Sequence, residues 1–190
     1  MIKHQHLILH KPYGYLSQFK YELKRNKKLL GALFEFPKGA MAIGRLDEDS
    51  EGLLLITTDG KVSDYICSSK VEKEYYAQVD GIITDDAISQ LSKGVEIGFE
   101  GSKYLTKTCR ALKVDVVPDF GVRAKKIRDE RHGPTSWVSI TVNEGKFRQV
   151  RKMTAAVGFP TLRLVRIRIG SVYLNDLKSG EVTEVSEFTI

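Results

Sequence analysis

The chain is poor in the residues that build metal centres and disulfide frameworks. Its 190 residues include two cysteines, Cys67 and Cys109, and four histidines at positions 4, 6, 10 and 132. None stands at the short spacings that a zinc site needs, so no metal is expected, and two lone thiols fit a reduced compartment. Long apolar runs are missing too. No stretch approaches the roughly 18 apolar residues that read as a membrane span. The opening Met1-Ile2-Lys3-His4-Gln5-His6 lacks the apolar centre of a signal peptide. A cytoplasmic protein without membrane association is expected. No Gly-rich phosphate loop occurs either, so nothing points to a bound nucleotide or other cofactor. Hydrophobic content of 42% and charged content of 28% are ordinary for a globular chain, which argues against disorder.

Acidic residues are absent locally. The net charge is +6, and from Gly145 to Gly170 there are seven Lys or Arg and no Asp or Glu. Further basic stretches run from Arg123 to Arg131 and from Lys20 to Lys28. One such stretch is ordinary solvated surface. Three in one small chain favour a polyanionic partner, and nucleic acid is the leading candidate.

The hydrophobic pattern predicts an α+β unit built mainly on antiparallel sheet. His6 to His10 reads as an opening strand stopped at Lys11-Pro12-Tyr13-Gly14, with a second strand over Tyr15 to Phe19. Met41 to Ile43 and Leu53 to Thr57 read as strands, the latter followed by an Asp59-Gly60 turn. Lys73 to Val79 is a strand ending at Asp80-Gly81. Thr84 caps a helix from Asp85 to about Ser92, closed by Gly94. Cys109 to Val117 and Trp137 to Val142 alternate as half-buried antiparallel strands, and the basic connection between them is the best candidate for a specificity loop. Phe147 to Val157 spaces Val150, Met153 and Val157 as a helix, with Gly158 and Pro160 as stops. Leu162 to Ile169 alternates as a strand that places Arg166 and Arg168 on one pleat face. No repeat or linker divides residues 1–190, so one domain with two lobes is expected.

Within this frame Gly44-Arg45-Leu46-Asp47, followed by Glu48-Asp49-Ser50-Glu51-Gly52, puts a carboxylate on a loop between two strands. A solvated turn is the competing reading. A calcium loop is excluded, because the twelfth position is Thr58, where a bidentate Glu is required.

These motifs coincide in order and spacing with those of the pseudouridine synthases, in the family that modifies ribosomal RNA at single sites. Gly44-Arg45-Leu46-Asp47 with Gly52-Leu53-Leu54 resembles the family's catalytic-aspartate loop. Lys73-Glu74-Tyr75 resembles its Lys-x-Tyr strand, and Glu144 to Met153 (EGKFRQVRKM) its third motif. Pro134-Thr135-Ser136-Trp137 and Gly158 to Leu164 (GFPTLRL) resemble the large-subunit members. The resemblance runs from about Leu7 to Leu174. It implies a mainly antiparallel, bisected sheet with helices and a catalytic cleft between two lobes. It differs in one respect: many relatives carry an S4-type RNA-binding domain first, and here the opening strand begins within about six residues of Met1, so no such domain is expected.

The implied reaction breaks the C1′–N1 bond of a uridine, turns the bound uracil and rejoins it through C5. No redox cofactor or metal is needed. By resemblance Asp47 is the essential carboxylate, acting on C1′ or on a sugar proton, and Arg151 is the guanidinium that keeps it ionised. Tyr75 is expected to stack on the uracil and bring its hydroxyl near C5, while Tyr76, on the opposite strand face, is a core residue. Arg45 is expected to fill the space left by the flipped uridine. Lys73, Lys146, Arg148, Lys152, Arg163, Arg166 and Arg168 are the expected RNA contacts, Lys146 standing where relatives often carry Arg. The implied partner is large-subunit ribosomal RNA during assembly, met by a monomer. A non-catalytic RNA-binding or assembly protein would show the same basic stretches. A metal-dependent nuclease would need Asp47, Asp49 and Glu51 to converge.

Overall fold

The computed structural model describes residues 3–20, 27–68 and 70–190, so most of the basic stretch over 20–28 lies outside the described residues. β1 (His6–Lys11) leads through a turn to the short β2 (Tyr15–Leu16), which pairs with β3 (Lys28–Leu29). β4 (Met41–Ile43) and β5 (Glu51–Thr57) flank the acidic loop, followed by α1 (Gly60–Cys67), β6 (Lys73–Asp80) and α2 (Asp85–Lys93). β7 (Glu96–Phe99) and β8 (Ser102–Leu105) form a separate hairpin, and then come β9 (Arg110–Lys113) and β10 (Thr135–Val142). α3 (Gln149–Ala156), β11 (Thr161–Ile169), β12 (Val172–Tyr173) and β13 (Val182–Val185) complete the chain.

The main sheet has the order β13-β1-β5-β11-β6-β10-β9, with β4 added to β5 and β12 to β11. Its ladders are antiparallel except one. β11 runs parallel to β5 and meets it only through Val165 opposite Glu51 and Arg166 opposite Gly52. That narrow junction divides the sheet into two halves. β5 shares one edge between partners, giving its start to β11 and its end, Leu55 to Thr57, to β4. The loop from Gly44 to Ser50 emerges where these two partners diverge. Gly52 makes the junction feasible: its φ is +103°, and an added Cβ would lie 2.3 Å from the Arg166 carbonyl oxygen. Only glycine tolerates both the backbone angle and the approach.

Period-2 alternation distributes the core. On β6, Ala77 and Val79 join an apolar cluster with Ile140, Val150, Met153 and Leu164, under α2 and α3. The opposite face holds a second cluster of Ile43, Leu53, Leu55, Ile66, Val165 and Ile169, against which Tyr76 packs. Leu7, Leu9, Leu30, Leu54 and Ile56 form a third.

Several expectations need correction. The second strand covers only Tyr15–Leu16, and the strand expected over 109–117 is confined to Arg110–Lys113, with Val116 exposed. Asp59-Gly60 is a helix start rather than a turn: the Asp59 carboxylate accepts from the Lys61 and Val62 backbone N–H groups and caps α1. Arg166 and Arg168 do not share a face. A β-bulge between them sets Arg166 opposite Tyr75 but Arg168 opposite Glu74, and adjacent residues of β6 point to opposite sides.

Candidate active site

The acidic loop is fixed at several points. Leu46 is held at both backbone groups by Ser17, whose hydroxyl donates to the Leu46 carbonyl at 2.7 Å and accepts from its N–H at 3.0 Å. The Gly14 N–H donates to the Glu48 carbonyl at 2.8 Å. Beneath lies Lys11, fully buried, whose ammonium donates to the carbonyls of Pro12 at 2.9 Å and Tyr15 at 2.7 Å. Burial lowers the Lys11 pKa to about 8, against the raising pull of Glu51, Asp49, Asp47 and Glu48. Sequence reasoning missed Lys11, because Lys-Pro-Tyr-Gly reads only as a turn.

Asp47 thus stands between two anchored neighbours and opens on a cavity of about 860 Å³. Its walls include Arg45 and Leu46 from the loop, Lys73 and Tyr75 from β6, Lys146 to Val150 around the start of α3, and Leu164 and Arg166 from β11. Residues far apart in sequence meet because the loop belongs to one half of the sheet and the other walls to the other half.

The two loop aspartates differ in environment. Arg148 grips Asp49 with both ends of its fork, at 2.9 and 2.8 Å, while its Nη1 stays 3.6 Å from Asp47. Burial raises the Asp47 pKa, opposed chiefly by Arg148 and then by Arg151, with Asp49 adding to the rise. Burial acts on Asp49 as well, but the Arg148 hydrogen bonds and the charges of Arg151 and Arg148 outweigh it and hold Asp49 below its ordinary value. Arg148 reaches both carboxylates from a left-handed backbone conformation, φ +53°, immediately before α3.

This changes the assignment of counter-charge. Arg151, the expected partner of Asp47, donates instead to the Asp49 carbonyl at 2.8 Å and the Ser50 hydroxyl at 3.4 Å. It secures the loop, and Arg148, expected to hold phosphate, is the guanidinium nearest Asp47. Tyr75 does line the cavity, with its hydroxyl 3.5 Å from Arg166 Nη1. Arg45 is exposed on the cavity rim.

The other basic residues separate by partner. Lys146 lies over the rings of Phe99 and Tyr104 at 4.7 and 5.0 Å, and Lys152 donates to the Gly98 carbonyl at 2.8 Å, so both sit beside the β7–β8 hairpin near the surface. Arg163 is buried on Glu51 at 2.8 and 3.0 Å, and Arg168 is buried between Glu74 at 2.8 Å and Glu72 at 2.9 Å. Their forks are occupied by carboxylates of the protein itself, buried Glu51, Glu74 and the more exposed Glu72, and offer no free edge to a phosphate. Arg166 is buried as well. In the basic connection Arg123 stacks on Tyr13 at 4.0 Å and Arg128 pairs with Asp80, while Lys125 and Lys126 remain exposed. Asp47, Asp49 and Glu51 do not converge: Asp49 turns to Arg148 and Glu51 to Arg163, as a nuclease-type metal cluster would not allow. Sequence reasoning also missed Phe147, a highly exposed ring on the cavity rim, which the helical pattern absorbed.

A loop aspartate between two sheet halves, faced by a tyrosine and arginines, defines the class of protein. Residues 5–156 match the RNA pseudouridylate synthase family, and the chain belongs to it. It is therefore an RNA-modifying isomerase with the α+β fold of that family. The chain is 39% identical over 181 residues to the ribosomal large subunit pseudouridine synthase E of Vibrio parahaemolyticus, covering 94% of this chain and 73% of the relative. It is 38% identical to the protein of that name from Xanthomonas campestris pv. campestris, over 92% of each. Among solved structures, one described as the crystal structure of pseudouridylate synthase superposes with a TM-score of 0.75 at 27% identity, over 97% of this chain and 71% of that one.

Proposed function

We propose that the protein isomerises one uridine of large-subunit ribosomal RNA to pseudouridine, with Asp47 as the essential group. The observation that carries this reading is a half-buried carboxylate, fixed on both sides by loop anchors, facing Tyr75 across a cavity large enough for a flipped nucleotide. Relatives named for the large ribosomal subunit, of which this chain covers 73% and 92%, support the substrate class.

In this mechanism Asp47 either attacks C1′ or removes a sugar proton, and both routes need the anion. Arg148 opposes the effect of burial and keeps that anion available, and Arg151 holds the loop that presents it. Tyr75 stacks on the uracil and brings its hydroxyl toward C5. Arg45 supports the displaced stack, and Lys146, Lys152, Lys125 and Lys126 meet phosphates around the rim. The protein works as a monomer on a locally folded RNA segment before the subunit is complete, and the connection over 119–134 contributes to site selection.

Pseudouridine mapping in ribosomal RNA tests this, using cells that lack the protein and then regain the wild type or Asp47→Asn. One large-subunit position is expected to be lost and restored only by the wild type. Restoration of a small-subunit or transfer-RNA position instead would refute the substrate, and restoration by Asp47→Asn would point to a binding-only protein.

A further inference from the structure

A charge inside a protein is normally matched by an opposite one, since an uncompensated buried ion costs several kcal/mol. Arg163, Arg168 and Arg148 obey this rule through Glu51, Glu74 and Asp49. Three buried cations make no ion pair among the described residues, but Lys11 lies in the field of Glu51, Asp49, Asp47 and Glu48, which leaves two with no carboxylate in contact. Lys73 is 6% exposed and Arg166 1% exposed, and among the described residues neither forms an ion pair with a carboxylate. The Lys73 ammonium donates to the Val71 carbonyl at 2.8 Å. Arg166 donates through Nε to the Leu53 carbonyl at 2.8 Å, and its Nη2 has no partner.

The two lie together. A Cβ built on Gly44 would stand 3.5 Å from Arg166 Nη1 and 3.9 Å from Lys73 Cε, which places both cations beside the start of the acidic loop. They flank Tyr75, Lys73 two residues before it on β6 and Arg166 opposite it on β11, and all three line the cavity. Burial, reinforced by the neighbouring guanidinium, lowers the Lys73 pKa. The charges acting most on Asp47 are Arg148, Asp49, Arg151 and Lys11, so this pair is not the aspartate's counter-charge. An anion is missing from the sheet wall, and the ligand is expected to bring it. On the functional reading above, backbone phosphates meet the rim and the flipped base, stacked on Tyr75, is the part of the RNA that enters.

We propose that the Lys73 ammonium, with the Arg166 charge behind it, stabilises the uracil as an anion between its release from the sugar and its reattachment. This rests on the isomerase reading above. When C1′–N1 breaks, its electron pair goes to N1 and the negative charge spreads over N1, O2 and O4. Asp47 meanwhile bonds C1′ or holds a proton taken from the sugar. After the ring turns, C5 supplies the pair for the C1′–C5 bond and C1′ gives up Asp47, or the sugar recovers its proton. The C5 proton then leaves to a base, N1 gains one, and the ring is neutral again. Cations aimed at charge that exists only during the reaction favour the transition state over the bound substrate. Arg166 acts through position and field, and Lys73 is the group that meets the base.

The test compares wild type, Lys73→Met and Lys73→Arg in single-turnover reactions on large-subunit RNA transcribed with uridine or with 5-fluorouridine. Loss of the N-glycoside is read by mass spectrometry of digested nucleosides. Fluorine spreads the negative charge, so fluorouracil needs less help to leave. Lys73→Met is expected to lose about 100-fold on uridine RNA and at least tenfold less than that on fluorouridine RNA. Lys73→Arg should recover most of the rate. RNA affinity should stay within about twofold, and the melting temperature of Lys73→Met should hold or rise, because an uncompensated charge is gone. Lys73→Gln, neutral but able to hydrogen-bond, is read in the same way if Lys73→Met does not fold. Equal losses on both RNAs, or no loss, would overturn the role of the pair. Failure of the wild type to isomerise the uridine transcript would instead overturn the functional reading itself.

Discussion

On the loop-and-helix wall of the cavity, Asp49 and Arg148 neutralise each other through hydrogen bonds of 2.8 and 2.9 Å, and Arg151 adds its charge nearby. On the sheet wall, Lys73 and Arg166 have only carbonyl and hydroxyl acceptors. The first wall is balanced before substrate arrives, and Asp47 is its one half-satisfied carboxylate. The second is left positive. Charge of either sign is thus kept reactive by withholding one partner, and a count of basic residues does not reveal where that has been done.

The most severe way to break the contrast is to remove the reactive anion. Asp47→Asn should lower turnover at least about 10⁴-fold while leaving fold and RNA affinity near wild type. Single-turnover assays check this, and measurable isomerisation by a clean Asn preparation would remove Asp47 from the mechanism. Arg148→Met should lower kcat/KM about 100-fold and reshape its pH profile. Burial already raises the Asp47 pKa and Arg148 opposes the rise, so without Arg148 the aspartate stays protonated to higher pH. Because activity needs the deprotonated form, the acidic limb should move upward in pH. An unmoved limb would return the counter-charge to Arg151.

Arg151→Leu sharpens the same point with a smaller effect. It frees the Asp49 carbonyl and the Ser50 hydroxyl, so about tenfold loss is expected, with a smaller shift of the acidic limb than for Arg148→Met. A larger shift than that of Arg148→Met would reverse the two assignments. The smallest effect on RNA binding is expected for Arg163→Met. Glu51 keeps Arg123 at 3.3 Å, so losing the Arg163 hydrogen bonds should cost about 1.5–3 kcal/mol in urea denaturation. The salt dependence of RNA binding should not change, whereas Lys152→Ala should reduce the log-log slope by about 0.7. A flatter slope for Arg163→Met would place that residue on the RNA face after all.

Much of this architecture was legible because local rules agree with the tertiary structure. The acidic loop was readable between two short apolar runs, and period 2 set Tyr75 and Tyr76 on opposite faces, while the family resemblance said which of the two meets the cavity. α2 announced itself through Thr84 and Gly94. Other features depend on contacts that spacing cannot show. α1 hid behind Asp59-Gly60, a pair that serves equally as a turn and as a helix start. The arginines of β11 looked like one basic face because alternation was carried across a bulge. Their partners, Glu51 and Glu74, come from other strands, so burial by pairing left no local trace. Arg148 and Arg151 were both visible, but a left-handed backbone at Arg148 decided which of them meets Asp47.

β11 is central in space and late in sequence. On the ribosome, β1, β4, β5, β6 and β10 are all synthesised before Thr161–Ile169 emerges, and until then β5 and β6 each lack the neighbour that separates them. Such non-local pairing forms slowly, and open strand edges invite association with other chains. A chain truncated before Thr161 should therefore accumulate as an aggregate. Completion is also demanding, because β11 must come to rest against Gly52 in a space that admits no side chain. The same late step brings Asp47 within reach of Tyr75. A chain still under synthesis has no assembled cavity, so modification of RNA has to wait until nearly the whole protein has been made.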